Sequence, residues 1–225
     1  MNAIILDTET HDLEGFPIEI AYTPCSFEQG VLVIMQDQVF DEYFSSPEPI
    51  KYGAMATHHI LENDIADKPS YDTFRLPADT QVLIGHNIDY DIRAVQRCDH
   101  DVNVKGICTL ALARMAWDKL DSHALSACYY YVMENKEVAR KHLRHAHNAK
   151  ADIYFTGVIL QALVEKLGIK DMNSLYQMSE IARIPKRMTF GKHKGELIDE
   201  LPDSYIEWLL KQPDLDSYLV KALKG

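Results

Sequence analysis

The strongest constraint on the fold of this chain is a short apolar run that ends in two acids. Residues Ala3–Leu6 are followed directly by Asp7-Thr8-Glu9. The run is short and partly β-branched, which predicts a buried β-strand. Because strand side chains alternate between faces, Asp7 and Glu9 should project to the same side. Adjacent carboxylates repel each other, and a divalent cation would balance them. From these residues alone, two solvated acids at the exit of a strand remain an alternative.

Length and composition narrow the class of protein. The chain has 225 residues, 47% hydrophobic and 25% charged, so we expect a globular protein with one sizeable core. The formal net charge of −11 disfavours a protein that coats nucleic acid by bulk positive charge. The four cysteines lie far apart without a C-x-x-C pair, as is typical of reduced thiols. With no signal-peptide pattern and no bilayer-length apolar run, we expect a cytoplasmic location and no membrane partner.

The distribution of strand and helix patterns predicts a mixed α/β domain followed by a small C-terminal part. Two antiparallel strands, 17–27 and 30–44, should follow the first strand, with a tight turn at 28–30. A second core strand is expected at 81–85, and a long amphipathic helix at 149–167. We therefore predict a main domain over 1–168 and a small module over 170–225.

Three further acids follow these core elements. Asp89 and Asp91 come after the strand 81–85, but in a helix they would point about 200° apart, so only one can face a shared site. Asp152 lies in the first turn of the long helix, and His147 precedes that helix in a loop. The spacing of His142, His145 and His147 suggests zinc, but no cysteine or fourth ligand accompanies it at a suitable spacing.

The ordered set of motifs resembles the DEDDh 3′–5′ exonucleases, within them the exonuclease X type. The set comprises the strand carboxylate pair, an H-N-x-x-Y-D motif at 86–91 and an H-x-A-x-x-D motif at 147–152. Further similarities are Leu13 and the segments 54–60, 190–195 and 205–209. The resemblance implies an RNase H-like fold, with a mixed central sheet flanked by helices and a small, mainly helical C-terminal module.

The resemblance also implies roles for individual residues. It makes Asp7, Glu9, Asp91 and Asp152 ligands of two divalent metal ions, magnesium or else manganese, and His147 the general base. The expected substrate-binding residues are Thr8, Thr10, Leu13, His58 and Asn87. Asp12 departs from the family pattern, which usually has glycine there. His86 is expected to brace the strand–helix junction.

The expected activity is a metal-dependent 3′–5′ exodeoxyribonuclease that releases nucleoside 5′-monophosphates and has nucleic-acid 3′ ends as its partner. DNA is favoured over RNA only through the resemblance. An RNA-trimming exonuclease and a non-catalytic module that binds nucleic acid or a polymerase are the alternatives. The oligomeric state does not follow from the sequence.

The run 183–194 contains five basic residues and no acid, which suggests nucleic-acid contact. The candidate contacts are Lys186, Arg187, Lys192 and Lys194. Tyr205 and Trp208, at helical spacing, are expected in the core of the small module rather than in a base-stacking surface.

Overall fold

A computed structural model describes residues 1–213 and 215–225. Its contacts divide the chain into two compact units, Met1–Ser179 and Glu180–Gly225. The predicted domain limits, 1–168 and 170–225, differ from this division and stay a prediction.

The first unit is built on a mixed six-stranded sheet, as predicted. Its strands are Ala3–Thr10 (β1), Pro17–Glu28 (β2), Val31–Ile34 (β3), Phe40–Tyr43 (β4), Val82–Gly85 (β5) and Lys105–Cys108 (β6). The order is β3-β2-β1-β5-β6, and β4 also pairs with β2. The pairs that involve β2 are antiparallel, whereas β1–β5 and β5–β6 are parallel.

One detail of the sheet differs from the sequence prediction. The expected single strand 30–44 is two strands, β3 and β4, separated by a 3-10 turn at Gln36–Gln38. The chain can leave the sheet there because both strands pair with different parts of the long β2. Asp7 and Glu9 lie at the C-terminal end of the first strand, as predicted, and β1 continues past them to Thr10.

Helices cover the sheet. In the first unit they are Tyr52–His58 (α1), Glu62–Ile65 (α2), Asp89–Cys98 (α3), Thr109–Ala116 (α4), Leu125–Val132 (α5), Lys136–His142 (α6), Ala149–Leu167 (α7) and the start of Met172–Arg183 (α8). The long helix α7 begins at an Asn148 N-cap, whose side chain accepts a hydrogen bond from Ala151 N, and ends at Gly168 in the left-handed conformation. A Cβ on Gly157 would lie 3.0 Å from Ile34, so this glycine lets α7 approach the sheet closely.

The second unit starts within α8 and adds Asp203–Leu209 (α9) and Ser217–Lys224 (α10). The division falls inside one helix, and residues on either side of it have different partners. Ser179 Oγ accepts a hydrogen bond from Cys108 N of the first unit's sheet, whereas Glu180 and Arg183 both bond to the Tyr218 hydroxyl of α10. The core of the second unit is formed by Met188, Ile198, Leu201, Leu209, Leu219 and Leu223.

Across the described residues, no helix combines the length and the apolar character that crossing a membrane requires.

Candidate active site

The centre of the site is the end of β1. Asp7 and Glu9 alternate with the buried Thr8 and Thr10, so both acids lie on one side of the strand. Asp91, in the first turn of α3, accepts hydrogen bonds from Thr8 N at 3.0 Å and Thr8 Oγ1 at 2.9 Å. These bonds fix the start of α3 against β1.

The structure shows which of Asp89 and Asp91 faces the site, a choice that the helical angle did not make. Asp91 is 4% exposed and faces β1, whereas Asp89 is exposed. This is the angular separation expected for residues two apart in a helix. Asp91 is therefore the acid that joins Asp7 and Glu9.

The last acid comes from the first turn of α7. Asp152 is 6% exposed, and its Oδ2 accepts a hydrogen bond from His147 N at 3.2 Å. Its Oδ1 is buried and has no hydrogen-bond partner among the described residues. Potential ligand atoms of Glu9, His147 and Asp152 all lie within 4.8 Å of one another. An unsatisfied buried carboxylate oxygen beside other acids is the environment that a cation would complete.

We call Asp7, Glu9, Asp91 and Asp152 the carboxylate cluster. Burial, followed by the charges of Asp91, Asp152 and Glu9, raises the pKa of Asp7 well above its usual value. Burial is also the first cause that raises the pKa of Glu9 to about 8, with nearby carboxylates adding to it. Burial raises the pKa of Asp91 and of Asp152 to about 7. Ionising all four groups together therefore requires added positive charge.

Glu19 belongs to this environment, although the sequence analysis did not select it. It stands opposite Glu9 across the β1–β2 pair, so the two side chains share a face. It is 1% exposed, accepts hydrogen bonds from Asn148 Nδ2 at 2.5 Å and Ala149 N at 3.2 Å, and thereby holds the start of α7. Burial raises its pKa to about 7. The available signal was an acid inside the apolar run Pro17–Ala21.

The other predicted substrate-binding residues occupy different environments. Thr10 is buried, and its hydroxyl donates to Asp12 O and bonds to the Tyr90 hydroxyl. Leu13 is 77% exposed in the loop after β1. His58 is buried, its Nδ1 accepts from Ile60 N, and burial lowers its pKa, with the charges of His59 and His147 adding to the effect. Asn87 is exposed, with a φ of 82° at the β5–α3 junction.

The histidines that suggested zinc and His86 lie in different surroundings. The ring of His142 hydrogen-bonds to the Tyr129 hydroxyl at 2.7 Å, whereas His147 lies beside Glu9 and Asp152. His142 and His147 therefore contact different residues. His86 Nε2 donates to His123 O at 2.7 Å, and its Nδ1 lies 3.0 Å from Thr109 Oγ1. These two contacts join the end of β5 to α4 and to the loop before α5.

His86 gives a prediction for stability. Burial lowers its pKa from 6.5 to about 4, so the unfolded chain binds the extra proton first as the pH falls. The stability contributed by neutral His86 is present above pH 6.5 and is lost between pH 6.5 and pH 4, by about 3 kcal/mol. The stability difference between wild type and His86→Gln, measured by urea unfolding, should shrink by that order across this range. A His100→Gln control, at an exposed position, should show no such change.

Comparisons with known proteins agree with this geometry. Exodeoxyribonuclease 10 of Escherichia coli strain K12 is 28% identical over 217 residues, which cover 93% of this chain and 91% of the relative. A structure of exonuclease X in complex with 5′ overhanging duplex DNA matches with a TM-score of 0.62 and 25% identity, covering 79% of this chain and 99% of that one. These matches support a DEDDh-type exonuclease.

Other matches concern the fold and the second unit. E. coli exonuclease I in complex with a dA16 oligonucleotide matches with a TM-score of 0.57 and 14% identity, over 82% of this chain and 44% of that one. That likeness shows the fold alone, and with the others it confirms the RNase H-like fold class. A family model described as "Putative quorum-sensing-regulated virulence factor" matches residues 176–214.

Proposed function

We propose that this exonuclease is a metal-dependent 3′–5′ exodeoxyribonuclease that releases nucleoside 5′-monophosphates. The observation that carries the proposal is the carboxylate cluster, with its raised pKa values and the unsatisfied Oδ1 of Asp152. DNA is the favoured substrate because the relatives named above are an exodeoxyribonuclease and an exonuclease in complex with DNA. A cytoplasmic location stays a prediction.

The cluster fits two divalent cations, magnesium or else manganese. Four carboxylates nearly neutralise two such ions and offer only hard oxygen ligands, which both ions prefer. When bound, the ions would polarise the phosphodiester, activate a water and stabilise the leaving 3′ oxygen. Asp7, Glu9, Asp91 and Asp152 are the residues that would hold them.

The remaining residues would orient the strand end and move the proton. His147 is exposed at the edge of the cluster, and its backbone N–H is held by Asp152, so its ring can take the proton of the attacking water at a ring nitrogen. Thr8 holds Asp91 in place. The exposed Leu13 offers an apolar surface for the terminal base, which favours binding of an unpaired 3′ end.

A matched pair of variants in α3 tests the proposal. Asp91→Asn is expected to lower the rate of shortening of a 5′-labelled single-stranded DNA by about 10³-fold or more, because it removes a metal ligand worth several kcal/mol. Asp89→Asn, at an exposed position in the same helix turn, should retain activity within a few-fold. Both are measured by gel assay with Mg²⁺ and with Mn²⁺.

The same assay separates the alternatives. Faster loss of the matching RNA would make the enzyme an exoribonuclease with the same cluster. A 3′-labelled strand that loses its label last would show that degradation runs from the 5′ end instead. No shortening of either polymer with either metal would contradict the proposal and favour a non-catalytic module.

A further inference from the structure

The second unit has a concave surface that the chemistry above does not use. Its volume is about 540 Å³, within the roughly 300–1,000 Å³ of small-ligand clefts. We call it the aromatic groove, and its lining includes Gly191, Lys192, His193, Ser204, Tyr205 and Trp208.

Stacked aromatic rings form one wall of the aromatic groove. The rings of Tyr205 and Trp208 stack with centroids 5.5 Å apart and an interplanar angle of 25°. Trp208 is 52% exposed, which corrects the expectation that it lies in the core. The core uses Leu209 of the same helix instead, so Trp208 is left to present its face to solvent. An exposed tryptophan braced by a second ring is a surface on which a nucleobase can stack.

Basic side chains border these rings. Lys192 Nζ lies 5.1 Å from the centroid of the Tyr205 ring, and Lys194 is exposed two residues further on. Residues 181–195 contain five basic residues and no acid, in a chain of net charge −11. The acid that follows, Glu196, accepts a hydrogen bond from His193 Nδ1 at 2.7 Å. The charge of the groove's loop therefore complements a phosphate backbone.

The loop that carries Lys192 is held in shape by its own backbone. Met188 N donates to Glu196 O, and Gly195 N donates to Met188 O. Arg187 Nη1 donates to Gly195 O at 2.9 Å, so this predicted nucleic-acid contact also closes the loop. Gly191 has a φ of 72°, and a Cβ there would lie 3.0 Å from the Tyr205 hydroxyl, so glycine allows the loop to approach the ring.

We propose that the aromatic groove binds single-stranded nucleic acid, stacking a base on Trp208 while Lys192 and Lys194 contact the phosphates. Lys186, exposed on the same basic run, would extend the phosphate contacts. The inference extends the proposed function, because the groove would hold the strand away from its 3′ end. A second contact on one chain raises the effective concentration of the strand, so long strands bind more tightly than short ones.

Intrinsic fluorescence tests the groove directly, because the chain has two tryptophans in different environments. Trp117 is buried, whereas Trp208 is exposed. The full-length Asp7→Asn variant in EDTA, which does not hydrolyse, is titrated with oligo(dT) and oligo(rU). We expect oligomer binding to quench the tryptophan fluorescence. The quenching should persist when Trp117→Phe is added, because Trp208 is then the tryptophan that remains. Trp208→Ala should weaken binding of a 5′-labelled oligomer, followed by anisotropy, about 5- to 150-fold.

Charge variants complete the test. Lys192→Ala should reduce the slope of log affinity against log salt by about 0.7, whereas Lys224→Ala, a charge-matched change on the same unit, should leave affinity within two-fold. In the active enzyme, Trp208→Ala should lower kcat/KM for a long oligomer relative to kcat/KM for a trinucleotide. Unchanged affinity in both Trp208→Ala and Lys192→Ala would overturn the groove proposal. Because binding is measured without hydrolysis, a wild type that binds but does not cleave would contradict the proposed function instead.

Discussion

Replacing Asp7 with asparagine is expected to abolish strand hydrolysis and also to raise the melting temperature of the metal-free protein. Asp7 is a buried carboxyl whose ionisation is opposed by burial and by its acidic neighbours. Asparagine has nearly the same shape without the charge, so it removes the repulsion together with a metal ligand. We expect a loss of activity of about 10³-fold or more, since metal ions supply several kcal/mol of transition-state stabilisation.

The sign of the stability effect follows from the raised pKa. A carboxyl whose folded pKa lies above its unfolded value of about 3.9 stabilises the fold fully only below that value. This contribution is lost as the pH rises through the folded pKa, which is about 7 for Asp91 and Asp152 and about 8 for Glu9. Metal-free wild type should therefore lose stability between pH 4 and pH 8, and the advantage of Asp7→Asn should grow with pH. One kcal/mol corresponds to about 2–4 °C in a chain of this size.

Thermal melts at pH 6 and pH 8, with EDTA or with Mg²⁺, measure these effects. Mg²⁺ should raise the melting temperature of wild type more at pH 8, because fewer protons must leave the cluster when the metal binds. This rise in melting temperature should be smaller in Asp7→Asn and equal to that of wild type in the Asp89→Asn control. A wild type that does not respond to Mg²⁺ at either pH, or an Asp7→Asn variant that melts below wild type in EDTA, would contradict the argument.

Parts of the site could be predicted from the sequence because they depend on local periodicity. Strand alternation places Asp7 and Glu9 on one side, and both lie there in β1. The helical angle showed that Asp89 and Asp91 cannot share a site, but it could not select between them. The resemblance to the DEDDh exonucleases selected Asp91, and the physical reason is the two bonds between Thr8 and Asp91, which join residues far apart in the chain.

The features that sequence analysis missed depend on register and packing. Glu19 faces the carboxylate cluster because the β1–β2 register sets it opposite Glu9, and periodicity within β2 cannot supply that register. The division of the expected strand 30–44 depends on which parts of β2 each half pairs with. Trp208 was assigned to the core by its spacing, but Leu209 occupies the core in its place.

His147 gives the second large expected effect, and its backbone determines which substitution is informative. Its φ of 64° lies in the left-handed region, which asparagine tolerates better than alanine does. His147→Asn therefore removes the imidazole with little backbone strain and keeps the N–H that donates to Asp152. We expect kcat to fall about 10²- to 10⁴-fold, the range attributed to general base catalysis. His145→Asn, exposed in the same loop, should stay close to wild type.

The position of His147 also allows a different role, and the same variant separates the two. Its ring lies within 4.8 Å of ligand atoms of Glu9 and Asp152, so the ring could itself bind a metal ion. A general base acts only in the reaction, so kcat/KM should fall in His147→Asn while the Mg²⁺-dependent rise in melting temperature persists. If His147 were a metal ligand, that rise would shrink together with kcat. Retention of the thermal response with loss of turnover would assign His147 to proton transfer, because only the reaction then depends on its ring.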